Sequence, residues 1–355
     1  MKILILISQT KNTGSFLRAK YLAEVLGKFC PVEIFYSPGK SLSIFTLGLS
    51  LMRNLWFVLS KDYQVVIGFK PYPNIGIPIL MAKIRGAKIV IDIDDLDWGY
   101  RKGILRLLVK FSQKIFPKRC HLVTYHHPQL KKILTQEFKV ANDKIYQLEQ
   151  GVNLNIFSNK SKRQEDGQLR RKYSLKTGKI LFWMGHLNIA AELEDIFQIF
   201  EIILKKDKSF ILIIAGGGPK EKFYKNLARE LKMDSNVIFT DYQDPKTISQ
   251  YLRLADLCLL YYREDKEANL YRCSMKLREY LAAGKKVVTN WVESTDFRNF
   301  VYCSSSSPAD FAQKILEIIS NGDERHKLGQ RFIGQNYDWQ KIGQKFYQKL
   351  INLTS

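Results

Sequence analysis

Cysteine is scarce in this chain: Cys30, Cys120, Cys258, Cys273 and Cys303 lie far apart, odd in number, with no CxxC and no Cys/His spacing. That excludes a disulfide framework or a zinc cage and leaves thiols expected to be reduced and mostly buried. Negative charge is also in short supply, with 34 Asp and Glu against 56 Lys and Arg and a formal net charge of +22. A field of that size attracts polyanions or an anionic lipid surface. It leans toward the N-terminal half, where residues 1–150 hold 23 Lys and Arg against 10 Asp and Glu. No zinc-finger, RNP-type or basic-zipper signature is present, so nucleic acid is not the expected partner. The opening MKILILISQT has a short apolar run without a small-residue cleavage site, which reads as a first strand of a cytoplasmic protein and not as a leader. Long apolar runs are few as well. The stretch from Ser41 to Ser60 approaches the length of a membrane span but is interrupted by Arg53 and Asn54. A centred Arg costs about 2.5–3.5 kcal/mol on insertion scales, so a helix that packs on a sheet or dips into a lipid interface is expected instead.

What the chain does have is 355 residues at 46% hydrophobic content, enough for two domains of roughly 150 to 180 residues with full cores. Lys2 to Ser8, a helix from Ser15 to Lys28 and Val32 to Tyr36 read as a βαβ opening of a parallel sheet, with Gly14 in the first turn. Asn74 to Arg85 reads as a helix and Lys88 to Ile93 as a buried strand. The carboxyl end of that strand carries Asp92, Asp94, Asp95 and Asp97, where parallel sheets bind ligands. Lys70, at the end of the preceding strand, is a candidate cation beside them. The DIDD run could offer oxygens to a hard metal ion. Arg101 to Arg119 is a basic amphipathic helix, able to lie on anionic lipid, to pack its apolar face on the sheet, or to do both. His126, with His127, follows the next strand.

The richest stretch runs from Ala255 to Thr289. It reads as a buried strand, a polar loop, a helix from Ser274 to Ala283, a stop at Gly284 and a second buried strand. In such a unit the helix N-terminus faces the carboxyl edge of a parallel sheet, and its unpaired N–H groups favour an anion such as phosphate. Lys276 and Glu279 share one helix face, while Leu277, Tyr280 and Leu281 form the stripe toward the sheet.

The segment KLREYLAAGKKVV, Lys276 to Val288, resembles the donor-binding segment of retaining glycosyltransferases of family 4, which have the GT-B fold. The resemblance continues through the GVN turn at Gly151 with Phe157, the strand end at Gly185, the GGGP turn at Gly216 to Pro219, Asp241-Tyr242, and Trp339 opening a last helix. It implies an α/β chain of two Rossmann-like parallel-sheet domains facing an interdomain cleft. The implied borders are 1–158 for the acceptor side, 159–335 for the nucleotide sugar, and 336–355 for a helix crossing back to the first domain.

By this resemblance Glu279 holds the ribose hydroxyls, and the backbone at Ser274, Met275 and Leu277 holds diphosphate together with Lys276. Gly14, Gly185, His186, Gly216, Tyr242 and Arg272 line the donor. Asp94, with Lys276 and Glu279, forms the catalytic set, and Lys70, Asp95 and His126 stand on the acceptor side. The implied partners are a nucleotide-diphosphate sugar and a glycan or lipid-linked acceptor. Configuration would be retained, with the leaving diphosphate taking the acceptor proton, and the resemblance implies neither a cofactor nor a metal. A basic first domain then places the protein on the inner face of the cell membrane. Three positions depart from the pattern: Tyr271 replaces the first Glu of a Glu-x7-Glu element, and His186 and Ala191 replace an Arg and a Lys that clamp diphosphate. A non-catalytic sugar-nucleotide-binding protein of the same fold is the alternative.

Overall fold

Runs of Ile, Val and Leu too short for helices form the strands, and amphipathic stretches between them form the covering layers. The computed structural model describes all residues except 9, 12, 38–42, 101–102, 159–162, 174, 176–177, 189–191 and 322, and the side chains of 100, 163–165 and 267–268 are likewise outside the description. By contacts the chain divides into two units. The first comprises Met1–Gly151, Lys266–Cys273 and Trp339–Ser355, and the second Val152–Asp265 and Ser274–Asp338.

The first unit is built on strands β1 (Ile3–Ile7), β2 (Val32–Tyr36), β3 (Val65–Phe69), β4 (Lys88–Ile93), β5 (Leu122–Tyr125) and β6 (Ile145–Gln147), in the order β2-β1-β3-β4-β5-β6. Every neighbouring pair is parallel. Helices α1 (Gly14–Leu26), α2 (Ile44–Ser60), α3 (Pro73–Ile84) and α4 (Gly103–Arg119) make the crossovers. The second unit repeats the plan with β7 (Ile180–Met184), β8 (Ile211–Ala215), β9 (Val237–Phe239), β10 (Leu257–Leu260), β11 (Lys286–Thr289) and β12 (Tyr302–Cys303), in the order β12-β11-β10-β7-β8-β9. Strands buried on both faces read as continuous apolar runs, and β1, β3, β7 and β10 do so along their whole length. Strand order reverses at β1 in one sheet and at β7 in the other. Ligands of open parallel sheets bind outside the carboxyl ends at such points, so Lys70 after β3 and Gly185 after β7 stand where a site is expected.

One buried ion pair ties the first unit together. The Arg18 guanidinium on α1 donates to both carboxylate oxygens of Asp92 on β4, at 3.0 and 3.2 Å, and to the carbonyls of Leu148 and Glu149 and the side chain of Gln150. Thr124 donates to the same Asp92 carboxylate at 2.5 Å. Trp339 lies over the guanidinium at 5.6 Å and begins the helix Trp339–Thr354, which packs with α1. Gly151 is confined to glycine because a Cβ there would stand 2.6 Å from the Trp339 ring. All five guanidinium N–H donors and both carboxylate oxygens are therefore used, which is what a buried pair requires to offset its desolvation.

The segment Lys266–Cys273 lies in the sequence of the second half but packs with the first unit, where Tyr271 rests against the core of β3, β4 and α3. No helix among the described residues is long and apolar enough to cross a membrane. Arg18→Ala strands the Asp92 carboxylate in the core and is expected to cost about 3–5 kcal/mol. Urea unfolding read by circular dichroism should show an earlier first transition for this variant, and an unchanged midpoint would contradict the role given to the pair.

Candidate functional site

In the second unit three pieces of backbone converge at the carboxyl edge of the sheet. Gly185 N–H, just past β7, donates to Ala215 O, Gly216 N–H to Asp241 O, and Leu187 N–H to Gly217 O, each at 3.0 Å. The two turns are thereby stitched together. Gly216 has φ +146° and a Cβ on it would lie 1.9 Å from the Gly185 carbonyl oxygen, so no other residue fits there. His186 follows Gly185; burial lowers its pKa, against a backbone hydrogen bond at Gly217 that raises it. At neutral pH it is accordingly an uncharged imidazole, not a substitute for the Arg that the resemblance puts there. Ala191, the other departing position, lies outside the described residues.

The third piece is the helix Met275–Ala282. Ser274 caps it, its hydroxyl accepting from Leu277 N–H at 3.2 Å and meeting the Tyr262 hydroxyl at 3.1 Å. Ser274 N–H is already used, since it donates to the Glu293 carboxylate at 2.7 Å. Leu277 and Ser274 thus spend their N–H groups on the cap, and Met275 opens the helix beside them. Glu293 also pairs with buried Arg278, whose guanidinium donates to Ser274 O and lies over Tyr337 at 4.6 Å. Arg278 is consequently part of the scaffold of this cap.

Lys276 stretches back from the helix over the Trp183 ring, its Nζ 4.4 Å from the centroid, and comes so close to Gly185 that a Cβ there would meet it at 2.8 Å. An ammonium is thus delivered to the β7 turn by another element of the same unit. Glu279, one helical turn beyond Lys276, is buried with 7% exposure. Burial raises its carboxyl to about 8 against the pull of Lys276. Tyr242 is half exposed beside Gly217, next to Asp241, which takes a left-handed backbone and pairs with Lys225 at 2.9 Å.

The first unit holds a second polar cluster. Lys70 has a left-handed backbone (φ 59°) and is buried, with its ammonium 2.9 Å from Asp94, 2.5 Å from Asp97 and 3.8 Å from Asp95. Ser15, the second residue of α1 after Gly14, donates to Asp94 at 2.5 Å. Burial would raise the Asp94 carboxyl, but Lys70, His126 and the Ser15 hydroxyl hold it at about 2. Asp95 moves the other way: burial and the two neighbouring carboxylates raise it, against Lys70 and Arg272. Its side chain is still 29% exposed, so solvent tempers that shift. Burial alone would lower Lys70, yet the three carboxylates carry it well above its usual value. The place between the carboxylates is therefore filled by an ammonium, and Asp97 also accepts from Gln113. His126 and His127 are both buried, the latter accepting from Gln129 N–H as a helix cap.

The candidate residues therefore fall into two groups. Gly185, His186, Gly216, Tyr242, Ser274, Met275, Lys276, Leu277 and Glu279 belong to the second unit, and Gly14, Lys70, Asp94, Asp95 and His126 to the first. Arg272, expected with the donor residues, is grouped with the first unit and acts on Asp95. Sequence reading missed Glu293 and Trp183. Glu293 lies nineteen residues from the N–H it caps and carries no local motif, whereas Trp183 reads only as strand core.

A carboxyl whose folded pKa lies above its unfolded value makes the folded state hold the extra proton, so its stabilising share is full below about pH 4.3 and is lost as pH rises toward 8. Glu279→Gln is expected to remove that loss. Between pH 5 and 8 the variant should gain on the wild type by up to about 1.4 kcal/mol per pH unit, measured as the difference between their urea unfolding curves. Parallel pH dependence of the two proteins would refute the buried state of Glu279.

Residues 165–333 match the family model described as glycosyl transferases group 1. A Bacillus subtilis protein named as a teichuronic acid biosynthesis glycosyltransferase, TuaH, is 27% identical over 276 residues, covering 74% of this chain and 67% of its own length. The alpha-monoglucosyldiacylglycerol synthase of Streptococcus pneumoniae is 24% identical over 208 residues, covering 57% of this chain, which spans less than half (46%) of that relative. Among solved structures, Anabaena HepE in complex with UDP and glucose superposes with a TM-score of 0.74 at 14% identity, covering 99% of both chains. The two six-stranded parallel sheets with flanking helices are those of the GT-B fold, and residues 165–333 are similar to the group 1 glycosyltransferases.

Proposed function

We propose that this protein is a retaining glycosyltransferase that moves a sugar from a nucleotide-diphosphate sugar to a glycan or lipid-linked acceptor in cell-surface polysaccharide or glycolipid assembly. The observation that carries the proposal is the Lys276 ammonium over Trp183, beside the Gly185 turn and the first turn of the Met275 helix. Departure of a diphosphate concentrates negative charge on its oxygens. Fixed N–H groups and an ammonium already in place stabilise that charge without reorganising during the reaction.

In this reading the Met275 amide, in the first turn of the helix, donates to the diphosphate, and the Lys276 side chain supplies the cation that His186 does not. Glu279, able to accept or donate while it keeps its proton, orients the ribose hydroxyls. No metal is needed for charge neutralisation, and the departing diphosphate takes the acceptor proton, so that no strong protein base is required. Asp94, kept ionised by Lys70 and Ser15, orients a sugar hydroxyl, and Asp95, His126 and Lys70 frame the acceptor. The names of the relatives support the acceptor class, one referring to teichuronic acid and the other to a glucosylated diacylglycerol. UDP, which the HepE complex contains, is the first nucleotide to test. A lipid-linked acceptor would place the work at the cytoplasmic face of the membrane.

A non-catalytic binding protein is favoured by one observation, Tyr271 packed on the first unit's core where the resemblance has a Glu. Incubation with pooled nucleotide sugars separates the two. Wild type is expected to release nucleotide, and Glu279→Ala to lower that release by about 100-fold or more. Nucleoside diphosphate that raises the melting temperature while no nucleotide sugar is ever turned over would establish the binding-only reading instead.

A further inference from the structure

Helix α2 is amphipathic the wrong way round for a surface helix. Its buried side includes Ser50 and Asn54. Asn54 donates to Asn74 O at 2.8 Å, and Asn74 donates to Ser50 at 3.0 Å and to Ser37 at 3.2 Å. Arg53, the interruption that argues against a span, turns inward to donate to Tyr36 O. The polar groups thus serve to fix α2 on the sheet and on α3. Its outward side carries Phe45, Leu49, Met52, Trp56 and Leu59, spaced four, three, four and three residues apart, which is one straight stripe. These are exposed side chains, with Phe45 at 74%, Met52 at 68% and Trp56 at 61%.

The stripe continues onto its neighbours. α3 is held to α2 through Asn74 and to α4 through Gly76, where a Cβ would strike the Phe116 ring at 2.2 Å, and through Lys83, which donates to Arg119 O. α3 exposes Ile77 and Ile84, and α4 exposes Ile104, Leu107, Leu108 and Phe111. A monomer rarely leaves so much contiguous apolar surface in water. The three helices contain no Asp or Glu, whereas α4 exposes Arg106, Lys110, Lys114, Lys118 and Arg119 around its apolar residues.

We infer that the α2–α3–α4 face docks on an anionic lipid bilayer, with the α2 stripe and the outer residues of α4 entering the headgroup boundary and the α4 cations meeting lipid phosphates. The charge decides the occupant: a surface with apolar residues, bordering cations and no carboxylate on any of its three helices complements a negatively charged interface. The sequence alone leaves α2 free to be a packing helix, and only the inward turn of its polar residues shows that the apolar ones are left outside. This inference deepens the lipid-linked acceptor of the proposed function, and its test contains no substrate, so either can fail alone.

The experiment is flotation of the full chain with phosphatidylglycerol-containing vesicles and with phosphatidylcholine vesicles, at low and high salt. Wild type should float with the anionic vesicles, and raised salt should release only part of it. Phe45→Ser combined with Trp56→Ser should remove the salt-resistant fraction, and Lys110→Gln combined with Lys114→Gln should weaken anionic binding at least 10-fold at low salt. Both double variants should keep wild-type nucleotide binding, because neither touches the second unit. Three results would overturn the inference: no flotation with either vesicle, flotation unchanged by the Phe45 and Trp56 replacements, or a concentration-dependent dimer without flotation that Trp56→Ser dissolves. The last would assign the face to a second copy of the chain.

Discussion

The sugar transfer proposed for this protein depends on where one ammonium is held. Lys276 leaves a helix that follows β10 and ends over the ring of Trp183 on β7, beside a turn where Gly185 and Gly216 approach within contact distance. Neither the helix nor the turn would bind a diphosphate strongly alone, because neutral N–H donors are weaker than charge-assisted ones. Together they give a cation and directed amides at the same sheet edge. The cap that directs that helix is itself fixed from below by the Glu293–Arg278 pair, whose carboxylate takes the Ser274 N–H.

The first unit solves a related problem with the opposite charge balance. Four aspartates at the end of β4 would repel one another, but they are divided between two cations. Arg18 takes Asp92 into the core as a structural pair, and Lys70 gathers Asp94, Asp97 and, at longer range, Asp95. The strained backbone at Lys70 is consistent with a residue held where its side chain is needed and not where its backbone is most relaxed. Arg272, from a segment that belongs to the first unit despite its place in the sequence, adds a second positive charge near Asp95.

The alternation of strands and helices was legible except at the short edge strands β6 and β12, because strands buried on both faces are continuous apolar runs and those two are not. The Ser274 cap, the Asp cluster after β4 and the glycine-rich turn at Gly216 were legible for the same local reason: each depends on residues within a few positions. What was not legible depends on partners far along the chain. Ser50 and Asn54 are buried because Ser37 and Asn74 receive them, so the apolar half of α2 faces outward against the usual pattern. Likewise, nothing near Tyr271 or Arg272 announces that a loop between β10 and the Met275 helix packs with the other unit, and Glu293 caps a residue nineteen positions away.

Calorimetric titration of a nucleoside diphosphate, beside the matching nucleoside, tests the placement of that ammonium most directly. A charge-assisted contact contributes about 1.5–3 kcal/mol, so Lys276→Met should weaken the diphosphate by roughly 10-fold or more while leaving the nucleoside unchanged. Equal affinity for the two ligands in the wild type, or a diphosphate affinity that Lys276→Met does not alter, would contradict the account.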